Sequence, residues 1–196
     1  YLQLGFLQRR HLLRQIHTQT IIKPTGVLID RFREMLPFQL TNAQQRVVSE
    51  ILEDLQQPAP MNRLVQGDVG SGKTVVAVMA ILAAIQSGYQ AALMAPTEVL
   101  AEQHYRKLVG WFNLLHLPVE LLTGSTKAAK RRKIYSELET GELSIAVGTH
   151  ALIQDQVNFC NLGLVVIDEQ HRFGVFQRAK LQQKGESPHV LTMTAT

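Results

Sequence analysis

Residues 67 to 74 read Gly67-Asp68-Val69-Gly70-Ser71-Gly72-Lys73-Thr74, a glycine-rich run closed by a lysine and a hydroxyl residue. This fits the phosphate-binding pattern G-x-x-x-x-G-K-[ST], and each residue type has a chemical reason to be there. Glycines let successive backbone N–H groups curl around phosphate oxygens, and a helix starting at the loop adds its positive end. Lys73 supplies a point charge for β- and γ-phosphates, and the Thr74 hydroxyl suits Mg²⁺. A glycine-rich turn would match this pattern by chance in about one chain per hundred of this length.

A phosphate cradle needs a metal partner. Leu164-Val165-Val166-Ile167 is a continuous apolar run ending in Asp168-Glu169. In an open parallel sheet, ligands bind where strands end, which is where this run would deliver both carboxylates. Asp168 is the expected holder of Mg²⁺, through water, and Glu169 the group that polarises an attacking water. An Asp-Glu pair ends many strands without chemistry. Beside the loop at 67–74 it makes a site for ATP and Mg²⁺.

These residues must be positioned by alternating elements. Short apolar runs at 63–66, 90–95, 119–123, 144–148, 164–168 and 190–194 alternate with helical patterns at 73–87, 98–112, 127–139 and 174–183. That order predicts right-handed crossovers and a mostly parallel α/β sheet covered on both faces. Val75 to Ile85 is apolar all round, as expected of a helix buried beneath a nucleotide site. Thr41 opens a further helix with Val48, Ile51, Leu52 and Leu55 in one stripe, stopped by Pro58 and Pro60. Before Pro37 two helical stretches, one with Leu4, Leu7 and Leu12 and one with Leu28, Phe32 and Met35, are expected to pack outside the main domain. The expected division is a helical linker or extension at 1–37 and the main domain at 38–196.

The 196 residues are 45% hydrophobic, enough for a sizeable core, which excludes a disordered or fibrous chain. Twenty Lys+Arg against 16 Asp+Glu give 20 − 16 = +4, too small a bias to diagnose a polyanionic partner. Cys160 is the only cysteine, so no disulfide framework or thiolate cluster is expected, and core packing is its expected role. No run is long enough to span a bilayer and no leader pattern opens the chain; a soluble, cytoplasmic protein is expected. With Tyr1 first and an apolar strand just before Thr196, the sequence is expected to be part of a longer protein.

Asp168-Glu169-Gln170-His171 resembles the D-E-x-H box of superfamily 2 helicases, and Thr194-Ala195-Thr196 resembles their T-A-T triplet. The resemblance implies a RecA-like P-loop domain in which His171, Thr194 and Thr196 couple nucleotide state to a nucleic-acid groove. The plainer readings are a surface histidine and an ordinary β-branched strand. Phe38-Gln39-Leu40-Thr41-Asn42-Ala43-Gln44 resembles the adenine-reading Q motif. The amide of Gln44 both donates and accepts, as adenine requires, and Phe38 would cover the base. Thr41-x-x-Gln44 is equally a capping box, and Phe38 equally a core residue. Three segments match positions where the superfamily grips a strand: Pro96-Thr97, Thr123-Gly124 and Thr149-His150. Hydroxyls and backbone amides there hold phosphates without reading bases. Helix capping by Thr97 and Thr149 and a turn at Gly124 are the alternatives. The basic run Lys127, Lys130, Arg131, Arg132 and Lys133 is either a solvated helix face or a DNA contact.

Longer strings narrow the resemblance. Residues 61–74, 95–104, 147–153 and 168–175 look like the bacterial RecG family of ATP-dependent DNA helicases. The transcription-repair coupling translocases share Arg172-Phe173-Gly174-Val175 but differ at Ser71 and Gln170. The resemblance implies a first motor domain acting on branched DNA such as forks and Holliday junctions, in recombination and repair. It also implies a second motor domain and a wedge domain elsewhere in the full chain, so that this part alone binds nucleotide but hydrolyses it poorly. An RNA helicase, or a nucleotide-gated binding module without enzymatic activity, are the alternatives.

Overall fold

A computed structural model describes residue 22 and residues 27–67, 72–168 and 175–194. Six strands form one sheet: β1 (Asn62–Gln66), β2 (Gln90–Met94), β3 (Val119–Leu122), β4 (Ile145–Gly148), β5 (Leu162–Asp168) and β6 (His189–Thr194). Their spatial order is β1-β6-β5-β2-β4-β3, and every pairing is parallel. The helices are α1 (Val27–Met35), α2 (Asn42–Leu55), α3 (Lys73–Gln86), α4 (Glu98–Leu114), α5 (Ala128–Thr140) and α6 (Val175–Gln182), with a 3₁₀ turn at His150–Ile153. The α/β alternation read from the sequence therefore holds, with ends shifted by one or two residues.

Successive strand residues face opposite cores, as a pleated backbone requires. Ala91, Leu93, Val147, Val166 and Leu191 join one buried cluster with α1 to α4. Ala92, Met94, Ala146, Val165 and Val190 join the other with α5, the 3₁₀ turn and α6. A sheet covered on both sides needs continuously apolar strands, and β2, β4 and β5 are buried at every position. Helix α3 is buried at each residue from Val75 to Ala84, which explains its lack of a polar face.

Helix α1 does not lie outside the domain as the sequence led us to expect. Ile29 and Phe32 enter the main core, and the Phe32 ring meets Trp111 edge to face, centroids 5.3 Å apart. Burying one such ring contributes about 1.5–3 kcal/mol, and Ile29 adds to it in docking a nine-residue helix that has little stability alone. The earlier stretch containing Leu4, Leu7 and Leu12 lies outside the described residues.

Buried polar side chains pin the sheet at the end remote from its strand C-termini. Gln90 donates from Nε2 to the carbonyls of Leu138 and Leu143 (2.9 and 2.8 Å) and accepts the Asn161 N–H (2.8 Å). His189, fully buried, accepts the Met61 N–H at Nδ1 (2.8 Å). Cys160 corrects another expectation: it is exposed rather than core-packed. Its backbone N–H is what points inward, closing the end of α5 on the Leu138 carbonyl (3.0 Å). Among the described residues no helix is long and apolar enough to cross a membrane.

Candidate nucleotide and nucleic-acid site

Because all six strands run parallel, all six C-terminal ends lie along one edge of the sheet. The strand order divides that edge. Strand β1 ends beside Gly67, and β6 and β5 end at Thr194 and Asp168; β2, β4 and β3 end beside Pro96, Thr149 and Thr123.

On the first half, Lys73 opens α3 and its ammonium donates to the carbonyls of Gly67 (2.7 Å) and Thr194 (3.1 Å). The Gly67 N–H also donates to the Thr194 carbonyl (3.3 Å). Gly72 sits in the left-handed region (φ 82°), and a side chain there would collide with the Gln44 amide. Gln44 also completes the capping box: its Oε1 accepts the Thr41 N–H (2.9 Å) and its own N–H donates to the Thr41 hydroxyl (3.1 Å). The cap thus holds the Gln44 amide over the end of the phosphate loop. Helices α2 and α4 are capped by threonine side chains, whereas α3 begins at a glycine that offers none. Its first-turn N–H groups are left for an anion.

Asp168 ends β5, 4% exposed, and its Oδ2 lies 2.7 Å from His104 Nε2 on α4. Phe38, Gly72, Lys73, Thr74, His104 and Asp168 line one cleft of about 370 Å³. Phe38 is 47% exposed at its lip, so it is not the core residue that the alternative reading required. Hydroxyl and carboxylate oxygens beside an ammonium are the donors a hard divalent cation bound to phosphate takes, so Thr74 and Asp168 fit Mg²⁺ by type. Asp68, Val69, Gly70, Ser71, Glu169, His171 and Thr196 lie outside the described residues.

On the second half, backbone hydrogen bonds carry the loops in register. Ala95 N–H donates to Gly148 (2.9 Å) and Thr149 N–H to Leu122 (3.3 Å). Gly148 is required there, since a Cβ would strike the Leu122 carbonyl. Thr97 does cap α4, its hydroxyl accepting the Leu100 N–H (3.2 Å), while Thr149 makes no side-chain cap for the turn it precedes. Thr123 is buried and its hydroxyl accepts the Ser125 N–H (3.3 Å). The Ser125 hydroxyl lies 2.9 and 3.0 Å from the two carboxylate oxygens of Glu98. Pro96, Gly124, Thr149 and His150 line a shared hollow of about 460 Å³ with Arg131 and Tyr135.

The basic run on α5 separates into different tasks. Arg131 donates to the carbonyls of Gly124 (3.2 Å) and Thr126 (3.1 Å), so it braces the turn. Lys130 pairs with Glu120 (3.4 Å) and Lys133 with Glu137 (3.8 Å). Lys127 and Arg132 stay exposed. Sequence reasoning assigned no role to His104, although it lies in one of the strings that carried the family resemblance. No local spacing ties it to a carboxylate 64 residues away; only a buried-face position on α4 opposite β5 would have pointed to it.

Residues 41–196 match the model of the DEAD/DEAH box helicases, and the chain belongs to that family. Within it the likeness is to RecG. The chain is 73% identical over 196 residues to the ATP-dependent DNA helicase RecG of Synechocystis sp., covering 100% of this chain and 24% of that protein. It is 60% identical over 166 residues to RecG of Bacillus subtilis, covering 85% and 24%. It therefore spans about a quarter of the length of the curated relatives it matches. A solved structure of RecG bound to a three-way DNA junction superposes with TM-score 0.86 at 47% identity, over 98% of this chain and 26% of that one. The DUF1998 helicase MrfA bound to DNA and AMPPNP, at TM-score 0.69 and 18% identity, shares the fold.

Proposed function

We propose that this chain is the ATP-binding motor domain of a DNA helicase or translocase acting on branched DNA, such as replication forks and Holliday junctions, in recombination and repair. The observation that carries the reading is the convergence of Lys73, Thr74 and Asp168 on one cleft, along the sheet edge that also bears the Pro96, Gly124 and Thr149 hollow. The RecG relatives and the junction-bound RecG structure support DNA as the partner.

In this reading Lys73 and the N–H groups of Gly67 to Lys73 hold the β- and γ-phosphates, and Gln44 with Phe38 holds adenine. Thr74 and Asp168 hold Mg²⁺, which neutralises phosphate charge and orients the terminal group. Glu169 polarises the attacking water. Thr97, Thr123 and Thr149, with Pro96, Gly124 and His150, hold a strand by its phosphates. Thr194 supports the coupling role because its carbonyl shares the Lys73 ammonium, so phosphate arriving at Lys73 competes with the end of β6. His171 and Thr196 complete that coupling. Residues 1–37 serve as the linker, with α1 packed into the core of the motor domain at 38–196 of a longer cytoplasmic protein. A second motor domain supplies an arginine finger and a wedge domain splits the duplex.

The test is ATP turnover by the full-length protein with forked DNA, linear duplex and RNA. Forked DNA is expected to stimulate most, and the 196-residue chain alone to bind nucleotide with little turnover. Stimulation by RNA instead, or strong DNA-stimulated turnover by the 196 residues alone, would overturn the reading.

A further inference from the structure

The contact between His104 and Asp168 joins α4 to β5 with both side chains nearly buried, at 11% and 6% exposure. A carboxylate can only accept, so His104 Nε2 carries the proton and donates it to Oδ2. His104 Nδ1 is buried without a hydrogen-bond partner among the described residues, so the ring is held by packing and by this one bond. His104 also lines the cleft that holds Lys73 and Thr74.

We propose that His104 is a positioning residue: its Nε2–H fixes Oδ2 of Asp168 and thereby presents Oδ1 to a divalent cation beside Thr74 and Lys73. The inference rests on the nucleotide reading above and deepens it. A lone aspartate at a strand end has two freely exchanging oxygens and rotates about its side-chain bonds. Engaging one oxygen with a directional donor selects one rotamer and one oxygen for the metal. An imidazole does this without bringing a fixed positive charge against the cation, as Lys or Arg would. Donors of this kind behind a metal-binding group typically change metal affinity about 10- to 100-fold.

The experiment uses the full-length protein and Mn²⁺ as the probe, read by electron paramagnetic resonance with ADP bound. Two amide variants separate donor position from polarity. In His104→Gln the amide nitrogen reaches the place of Nε2, whereas in His104→Asn it stops near that of Nδ1. His104→Asn is expected to weaken Mn²⁺ binding about 10-fold, with metal-free ADP affinity unchanged, and His104→Gln to retain near-normal Mn²⁺ binding. Equal Mn²⁺ affinity in both variants would overturn the proposal. So would a parallel loss of metal-free ADP affinity, which signals only a packing role. Lys73→Ala serves as the reference: ADP binding indifferent to it sinks the nucleotide reading itself. A normal response to Lys73→Ala with a silent His104→Asn sinks this inference alone.

Discussion

The two halves of the sheet edge carry different chemistry on the same backbone. The half formed by β1, β6 and β5 concentrates charge: one ammonium held by two carbonyls and one buried carboxylate held by a histidine. The half formed by β2, β4 and β3 disperses it. Its loops present hydroxyls and amides, and Arg131 is turned inward to brace a turn. A triphosphate with its metal is one ligand with fixed charges, so preorganised counter-charges favour it. A nucleic-acid strand must be released at every step, and loops that hold phosphate oxygens by neutral donors grip any sequence alike. The Glu98–Ser125 contact even places a carboxylate beside the second hollow, where it tempers rather than strengthens attraction for phosphate.

If the halves divide the work in this way, damage to one leaves the other standing. Lys73→Ala should cut ATP turnover on the order of 100-fold or more while leaving nucleotide-free DNA affinity unchanged, as measured by steady-state kinetics and fluorescence anisotropy. Gly148→Val drives a side chain into the Leu122 carbonyl. It should lower stability by about 2–4 kcal/mol, seen as a fall in Tm, and weaken DNA binding more than nucleotide binding. The smallest and sharpest comparison sets Arg131→Ala against Lys127→Ala. Each removes one positive charge, but only Arg131 braces the Gly124 turn. Arg131→Ala should weaken DNA binding about fivefold. Lys127→Ala should only reduce the salt dependence, by about one in the log–log slope. Equal effects from both would mean that the run acts as a plain charged face.

The sequence made the first half easy to read and the second half hard. Glycine spacing, Lys73 and the apolar run ending in Asp168 declare their chemistry locally, because a phosphate cradle is built from consecutive residues. The sheet was legible for a similar reason: each strand of β2, β4 and β5 is buried on both faces, so its apolar run needs no partner to be recognised. What escaped depended on distant pairs. His104 meets Asp168 across 64 positions, and Ser125 meets Glu98 across 27. Helix α1 looked peripheral because Pro37 separates it from the rest, and the core residues that bury Phe32, Trp111 among them, lie far along the chain. The basic run on α5 showed its charges but not that Arg131 bends back to carbonyls a few residues away.

Helix α4 has its first turn in one half of the edge and its second in the other. Glu98 touches Ser125, and His104, six residues later, touches Asp168. Six helical residues span about 9 Å at a rise of 1.5 Å each, and the helix's own hydrogen bonds keep that separation fixed. The helix is therefore a strut that fixes the distance between the two backbone positions from which the contacts are made. A tilt of the helix as a rigid body would move both contacts, whereas a rotamer change in Glu98 or His104 moves one alone. The two halves differ in chemistry, yet they share one rigid member.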